Sequence, residues 1–116
     1  MTLNYYLIQC YDQIKEHINN HKMILQYVRN RHNQKCGVVV AYKKQEKVMI
    51  GYSLCNKKDR YDKLIGLNKA INRAQSIDSF QIYGNEIYDK DGLKIPFSVM
   101  NTVLKVIDRG RRYYKL

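Results

Sequence analysis

The residues most suited to chemistry in this chain are cations set beside aromatic rings. The sequence closes on DRGRRYYKL, Asp108 to Leu116, where Arg109, Arg111, Arg112 and Lys115 interleave with Tyr113 and Tyr114. Guanidinium forks bind phosphate bidentately, and aromatic rings stack on bases. Cations at a helix end also complement the helix dipole. That accounts for one or two of them, not for four beside a tyrosine pair. A second cluster lies in GYSLCNKKDRYDKLIG, Gly51 to Gly66, which reads as a strand running into a helix. Lys57, Lys58 and Arg60 crowd the expected helix start, where free N–H groups and partial positive charge already repel cations. Such cations cost stability in the empty protein and strengthen the site once phosphate arrives. The competing account is that Asp59 and Asp62 offset them while the lysines project into water. Phe80 and Tyr83 are candidate base-stacking residues, and Asn85 is placed to read a base edge or a ribose.

Catalytic groups do not assemble in the same way. His17, His21 and His32 fall in or just after the first expected helix. His17 and His21 share a face, but no HExxH pattern and no third ligand accompany them. His21 fits a core or interface position. Ser53 and Cys55 have no histidine nearby in sequence to act as a base. Asp59 and Asp62 are close enough to be a carboxylate pair, although first-turn dipole partners is the simpler role. No GxxxxGK[ST] or GxGxxG motif occurs. Cys10, Cys36 and Cys55 contain no CxxC pair and are expected as small buried apolar residues. The expectation is a protein that is not an enzyme and needs neither metal nor cofactor.

The elements that would position these residues follow from periodicity. From about Asn4 to Arg31 the chain is expected to form one long helix. Leu7, Ile14, His21 and Val28 recur every seventh residue, and Tyr11, Ile18 and Leu25 fill the positions between. One such stripe packs on a sheet or on another copy, which favours a homo-oligomer, a dimer or a hexamer. Cys36 to Lys43 and Lys47 to Cys55 read as an antiparallel hairpin closed by the polar turn KQE. Val38, Val40 and Tyr42 alternate with Val39 and Ala41, so both faces are apolar and helices should cover both. Gly51, inside a strand, signals a bulge or a close backbone approach. A central helix is expected from Asn56, its inner stripe made of Tyr61, Leu64, Ile65, Asn68, Ile71 and Ala74. Ser76 to Gly92 reads as irregular, with a short strand at Phe80–Tyr83 and a turn at YDKDG. Pro96 opens a C-terminal helix whose core face is Phe97, Met100, Val103, Leu104 and Ile107. The fold class is α+β: a small antiparallel sheet packed with a long N-terminal, a central and a C-terminal helix. No linker or repeat divides the 116 residues, so one domain, 1–116, is expected.

Charge narrows the partners. The formal net charge is +11, spread along the chain, and there are eleven tyrosines. A surface this positive attracts phosphorylated ligands, and tyrosine adds stacking faces. Solubility alone is the competing account of the charge. No apolar run is long enough to span a membrane. MTLNYYLIQCYDQ lacks the basic start and apolar middle of a signal peptide, so a cytoplasmic protein is expected.

GYSLCNKKDRYDKLIGLNKAINRA, following a hairpin, together with the closing IDRGRRYY, resembles the Thoeris anti-defence sponge proteins of phages. The match covers about Gly37 to Ala74 and the last helix. The resemblance implies a non-catalytic assembly of subunits, with helices packed on a small antiparallel sheet. It implies sequestration of cyclic ADP-ribose signals made by TIR-domain enzymes, with cyclic oligonucleotides held at a separate site in some members. It implies action in the cytoplasm of an infected host cell. The resemblance supports the class of ligand; from the residues themselves, Arg109 and Arg112 are expected to grip phosphates, with Arg111 and Tyr113 beside them. Phe80 or Tyr83 is expected to stack a base, and Lys57 and Lys58 to assist. The alternatives are a small phage DNA- or RNA-binding protein and an anti-CRISPR-type inhibitor.

Overall fold

In a computed structural model of the protein, residues 23–55 and 60–114 are described. They form β1 (Ile24–Arg29), β2 (Lys35–Lys44), β3 (Lys47–Leu54), α1 (Lys63–Asn72), β4 (Gln75–Ser76), a 3-10 turn (Ile77–Ser79), β5 (Gln81–Tyr83), β6 (Glu86–Tyr88) and α2 (Phe97–Tyr113). The first four strands make one antiparallel sheet in the order β1-β2-β3-β4, and β5 and β6 form a separate antiparallel pair.

The alternation in β2 sets the layers. Val39 and Ala41 face one way and join Val48, Ile50, Val99, Val103 and Val106 in the larger core, beneath α2. Val38 and Val40 face the other way and meet Leu67 and Ala70 of α1. A strand apolar on both faces thus carries a helix on each, as expected. The close approach signalled by Gly51 is also present. A Cβ there would lie 1.9 Å from the Ala70 carbonyl oxygen, so α1 rests directly on the backbone of β3.

The β2–β3 turn is built on Gln45 and Glu46, with φ of 51° and 64°. Two left-handed residues make a primed turn that matches strand twist, but neither is glycine. Each costs about 1–2 kcal/mol of steric strain. Glu46→Gly is therefore expected to stabilise the protein by about 1 kcal/mol in urea unfolding. Its lost contact, an exposed ion pair from Lys43 at 3.4 Å, contributes little. A fall in midpoint would show that the strain is not released.

The expected fold class needs correcting. Among the described residues the elements are six strands, in a four-stranded and a two-stranded sheet, with two helices, instead of one hairpin packed with helices. The long first helix does not reach Arg31, because Ile24–Arg29 is a strand paired with β2 from Ile24↔Ala41 to Val28↔Gly37. Leu25 and Val28 fit a heptad, but ILQYVR is rich in β-formers, and pairing along β2 decides the outcome. The rest of that expected helix, with Cys10, His17 and His21, lies outside the described residues. The central helix begins at Lys63, not near Asn56, and Asp62 caps it by accepting from the Ile65 N–H at 3.0 Å. Asp62→Ala should lower stability by about 1 kcal/mol in the same assay. An unchanged midpoint would remove it as the cap.

The buried face of α1 is Gly66, Leu67 and Ala70, while Ile65 is 43% exposed. The expected stripe of larger residues is displaced because contact with Gly51 admits only small side chains. Leu64 and Ile71 pack at the margin. In α2 the expected Met100, Val103 and Ile107 are buried, joined by Val99, Val106 and Gly110, whereas Phe97 is 72% and Leu104 39% exposed. The segment read as irregular holds β4 and a tight hairpin, in which Gly84 takes φ 61°. The YDKDG turn stands, with the Asp89 carboxylate accepting from the N–H groups of Asp91 and Leu93. Cys36 and Cys55 are half-buried rather than fully buried, since both lie at strand ends.

Candidate functional site

The loop joining β1 to β2 reads NRHNQ, Asn30 to Gln34, and Asn30 organises it. Its side-chain oxygen accepts from the N–H groups of His32 at 2.9 Å and Gln34 at 3.0 Å, and its amide donates to the Gln34 side chain at 3.3 Å. Asn33 takes φ 61°, a conformation asparagine tolerates, and its carbonyl accepts from Arg29 Nη1 at 2.9 Å. A loop tied at this many points holds its cations on a fixed frame.

That loop forms one wall of a cleft of about 940 Å³. The ends of β2 and β3 at Cys36 and Cys55 form the floor, Arg60 and Tyr61 the opposite wall, and Ser98 of α2 one end. Arg29, Arg31, Lys35 and Arg60 line the cleft, and no Asp or Glu is among its described lining residues. Lys35 Nζ lies 4.2 Å from the Tyr27 ring centroid and Lys63 Nζ lies 5.7 Å from it, so that tyrosine carries two cations. Neither Arg31 nor Arg60 has a carboxylate partner among the described residues. Forked donors with no internal competitor suit a phosphate. Burial raises the Cys36 thiol pKa above its ordinary value, with Cys55 adding to the effect, so Cys36 is not activated as a nucleophile.

Comparison with protein-family models, curated proteins and solved structures gives no match. What the cleft can do is set by its own residues.

Behind Tyr61 lies a second cavity of about 490 Å³, between β3 and α1, that shares Arg60 and Tyr61 with the cleft. The Tyr61 hydroxyl is buried and has no hydrogen-bond partner among the described residues. Burial, then its neighbours Tyr27 and Asp62, push its pKa up to about 12. The phenol therefore stays protonated and remains a donor. Gly66 leaves room for the ring: a Cβ there would lie 3.0 Å from Tyr61 Cε2. Ser53 Oγ donates to the Gly66 carbonyl at 2.6 Å, fixing this turn of α1 against β3.

The residues singled out from sequence are not gathered in this cleft. Arg109 lies eleven residues beyond Ser98 on α2, about 16 Å along the axis, and donates to the Gln26 side chain at 3.3 Å. Arg112 pairs with Asp108 at 2.7 Å, one helical turn away. Arg111 is exposed, and Tyr113 stacks edge-on against Tyr114 at 5.0 Å. Phe80 packs on the larger core. Tyr83 is 62% exposed and meets Tyr88 edge-on at 5.7 Å, with Asn85 in the adjoining turn. The neighbouring polar residues there are Glu86 and Lys94, joined at 3.0 Å. Lys57 and Lys58 lie outside the described residues, whereas Arg60 belongs to the cleft. Arg29, Arg31, His32 and Lys35 of the cleft are not among the site residues expected from sequence. Their signal was RNRHNQK, a cationic stretch with two asparagines between apolar runs, which the heptad pattern assigned to a helix and its exit.

Proposed function

We propose that this protein binds a small phosphate-bearing nucleotide in the cleft beside the β1–β2 loop and holds it without transforming it. The observation that carries the reading is Arg29, Arg31, Lys35 and Arg60 around about 940 Å³, with no carboxylate among the described lining residues. That volume lies within the usual range for small-molecule sites. Capture without chemistry requires only a preformed frame and charged contacts, and the Asn30 network provides the frame. The resemblance of GYSLCNKKDRYDKLIG and IDRGRRYY to the sponge proteins makes the specific proposal a cyclic ADP-ribose-type signal, sequestered from its receptor by a homo-oligomer in the infected cell's cytoplasm. Among the described residues no helix is long and apolar enough to cross a membrane.

A second reading, nucleic-acid binding, is favoured by Lys105, Arg109 and Arg111, which are exposed on α2 away from the cleft. A thermal-shift panel separates the two. It comprises cyclic ADP-ribose isomers, cyclic di- and trinucleotides, ADP-ribose and a short DNA duplex at physiological salt. Saturation at a hundred times the dissociation constant adds about 2.7 kcal/mol, a rise of several degrees for a domain this size. A rise with one cyclic nucleotide and none with DNA is the expected result. A salt-sensitive rise with DNA alone would overturn the proposal.

A further inference from the structure

The two cavities differ in chemistry in a way that specifies the ligand. The larger is lined by cations with no described carboxylate. The smaller is mixed: Arg60 and Lys69 are accompanied by Ser53, Tyr61 and the Asp62 carboxylate. One Asp62 oxygen is engaged as the α1 cap, which leaves the other as an acceptor. A carboxylate disfavours a second phosphate, whereas donors and acceptors together suit the hydroxyls of a ribose or the edge of a base. The two spaces meet at Arg60 and Tyr61, which line both.

The Tyr61 hydroxyl supplies an independent sign of a ligand. Buried hydroxyls are almost always hydrogen-bonded, and this one has no partner among the described residues. It lies over Gly66, close to Ser53, whose own hydroxyl is committed to the Gly66 carbonyl. In the empty protein the phenol therefore bears an unmet donor, and a modest shift of the ring toward an acceptor in the small cavity satisfies it.

Resting on the reading of the cleft as a phosphate site, we propose that the small cavity is the nucleoside subsite of the same site. The ligand is then a nucleoside diphosphate derivative. Its phosphates sit among Arg29, Arg31, Lys35 and Arg60, and its ribose or base enters between Ser53, Tyr61 and Lys69. The Tyr61 hydroxyl donates to it.

Two probes separate the halves in calorimetric titrations of the full chain. Inorganic pyrophosphate reports on the cleft, and ADP-ribose reports on both spaces. ADP-ribose is expected to bind at least tenfold more tightly than pyrophosphate. Tyr61→Phe and Lys69→Ala should each weaken ADP-ribose binding about tenfold, and Lys69→Ala, which lies outside the cleft, should leave pyrophosphate binding within twofold. Arg31→Ala should weaken both. Tyr61→Phe should also raise the melting temperature of the empty protein, because it deletes an unpartnered buried oxygen. Its loss of ADP-ribose affinity therefore cannot come from misfolding. Equal affinity for the two probes, or a Tyr61→Phe protein that melts higher and binds ADP-ribose as wild type does, would overturn the subsite while leaving the phosphate cleft standing. Failure of pyrophosphate and ADP-ribose alike to bind wild type would remove both.

Discussion

Gly51→Ala is expected to destabilise the protein by about 3 kcal/mol or more, enough to leave much of it unfolded at 37 °C. The added Cβ would lie 1.9 Å from the Ala70 carbonyl oxygen and 3.0 Å from Ala74 Cα. Those are backbone atoms of α1 and of the residue just past its C-cap, so no side-chain rotation relieves the clash, and α1 must lift off β3. Lifting it uncovers Val38 and Val40, which pack on Leu67 and Ala70. It also moves Gly66, whose carbonyl accepts the Ser53 hydroxyl at 2.6 Å. Gly110→Ala is the control. Its Cβ would meet side-chain atoms alone among those near it, Val48 Cγ1 at 3.3 Å and Ala41 Cβ at 3.8 Å, and the gain in helix propensity opposes that small crowding. Urea unfolding should place Gly110→Ala within about 1 kcal/mol of wild type. A Gly51→Ala protein as stable as wild type would mean that α1 does not rest on the backbone of β3.

Arg31→Glu combined with Arg60→Glu is expected to weaken nucleotide binding by about 3 kcal/mol or more, upwards of a hundredfold. The two arginines stand on opposite walls of the cleft and have no carboxylate partners among the described residues. Reversal therefore removes two charge-assisted contacts and places two like charges against the phosphates. Both side chains are exposed, so unfolding should shift by no more than about 0.5 kcal/mol. That separation of binding from stability is what a site residue produces and a structural one does not. Reversing Arg109 and Arg111 instead is expected to leave nucleotide affinity unchanged, since α2 carries them about 16 Å or more from Ser98. Loss of affinity in that second pair alone would move the site to the end of α2.

The core was legible where side-chain pattern and backbone pairing agree. VVVAY, with both faces apolar, announced a strand between two helices, and Gly51 announced the contact beneath α1. Pro96 marked the start of α2. The failures share one cause, namely that a local pattern met a stronger non-local partner. Leu25 and Val28 keep heptad spacing, yet ILQYVR lies along β2, where Ile24 and Val28 are buried in the larger core and Leu25 and Tyr27 pack on the smaller one. Asn56 is a strong capping residue, yet Asp62 caps α1. The proposed cleft depends on non-local contacts in the same way. The cations of DRGRRYYKL are dense in sequence, but on the helix Arg112 turns to Asp108 and Arg109 to Gln26. The cleft is assembled instead from four separate stretches, around Arg31, Cys55, Arg60 and Ser98, brought together by the β1–β2 and β2–β3 pairings and by the packing of α2 on the sheet. Its most informative group, the unpartnered Tyr61 hydroxyl, has no sequence signature because it depends on burial over Gly66.

The most direct test is a titration of the nitrogen-15-labelled protein with ADP-ribose, followed by amide shifts. The expected result is saturable movement of the amides of residues 29–36, Cys55, Arg60 and Tyr61, with those of residues 105–113 at the end of α2 unmoved. Saturable shifts confined to the end of α2, or none anywhere at millimolar ligand, would contradict a nucleotide site beside the β1–β2 loop.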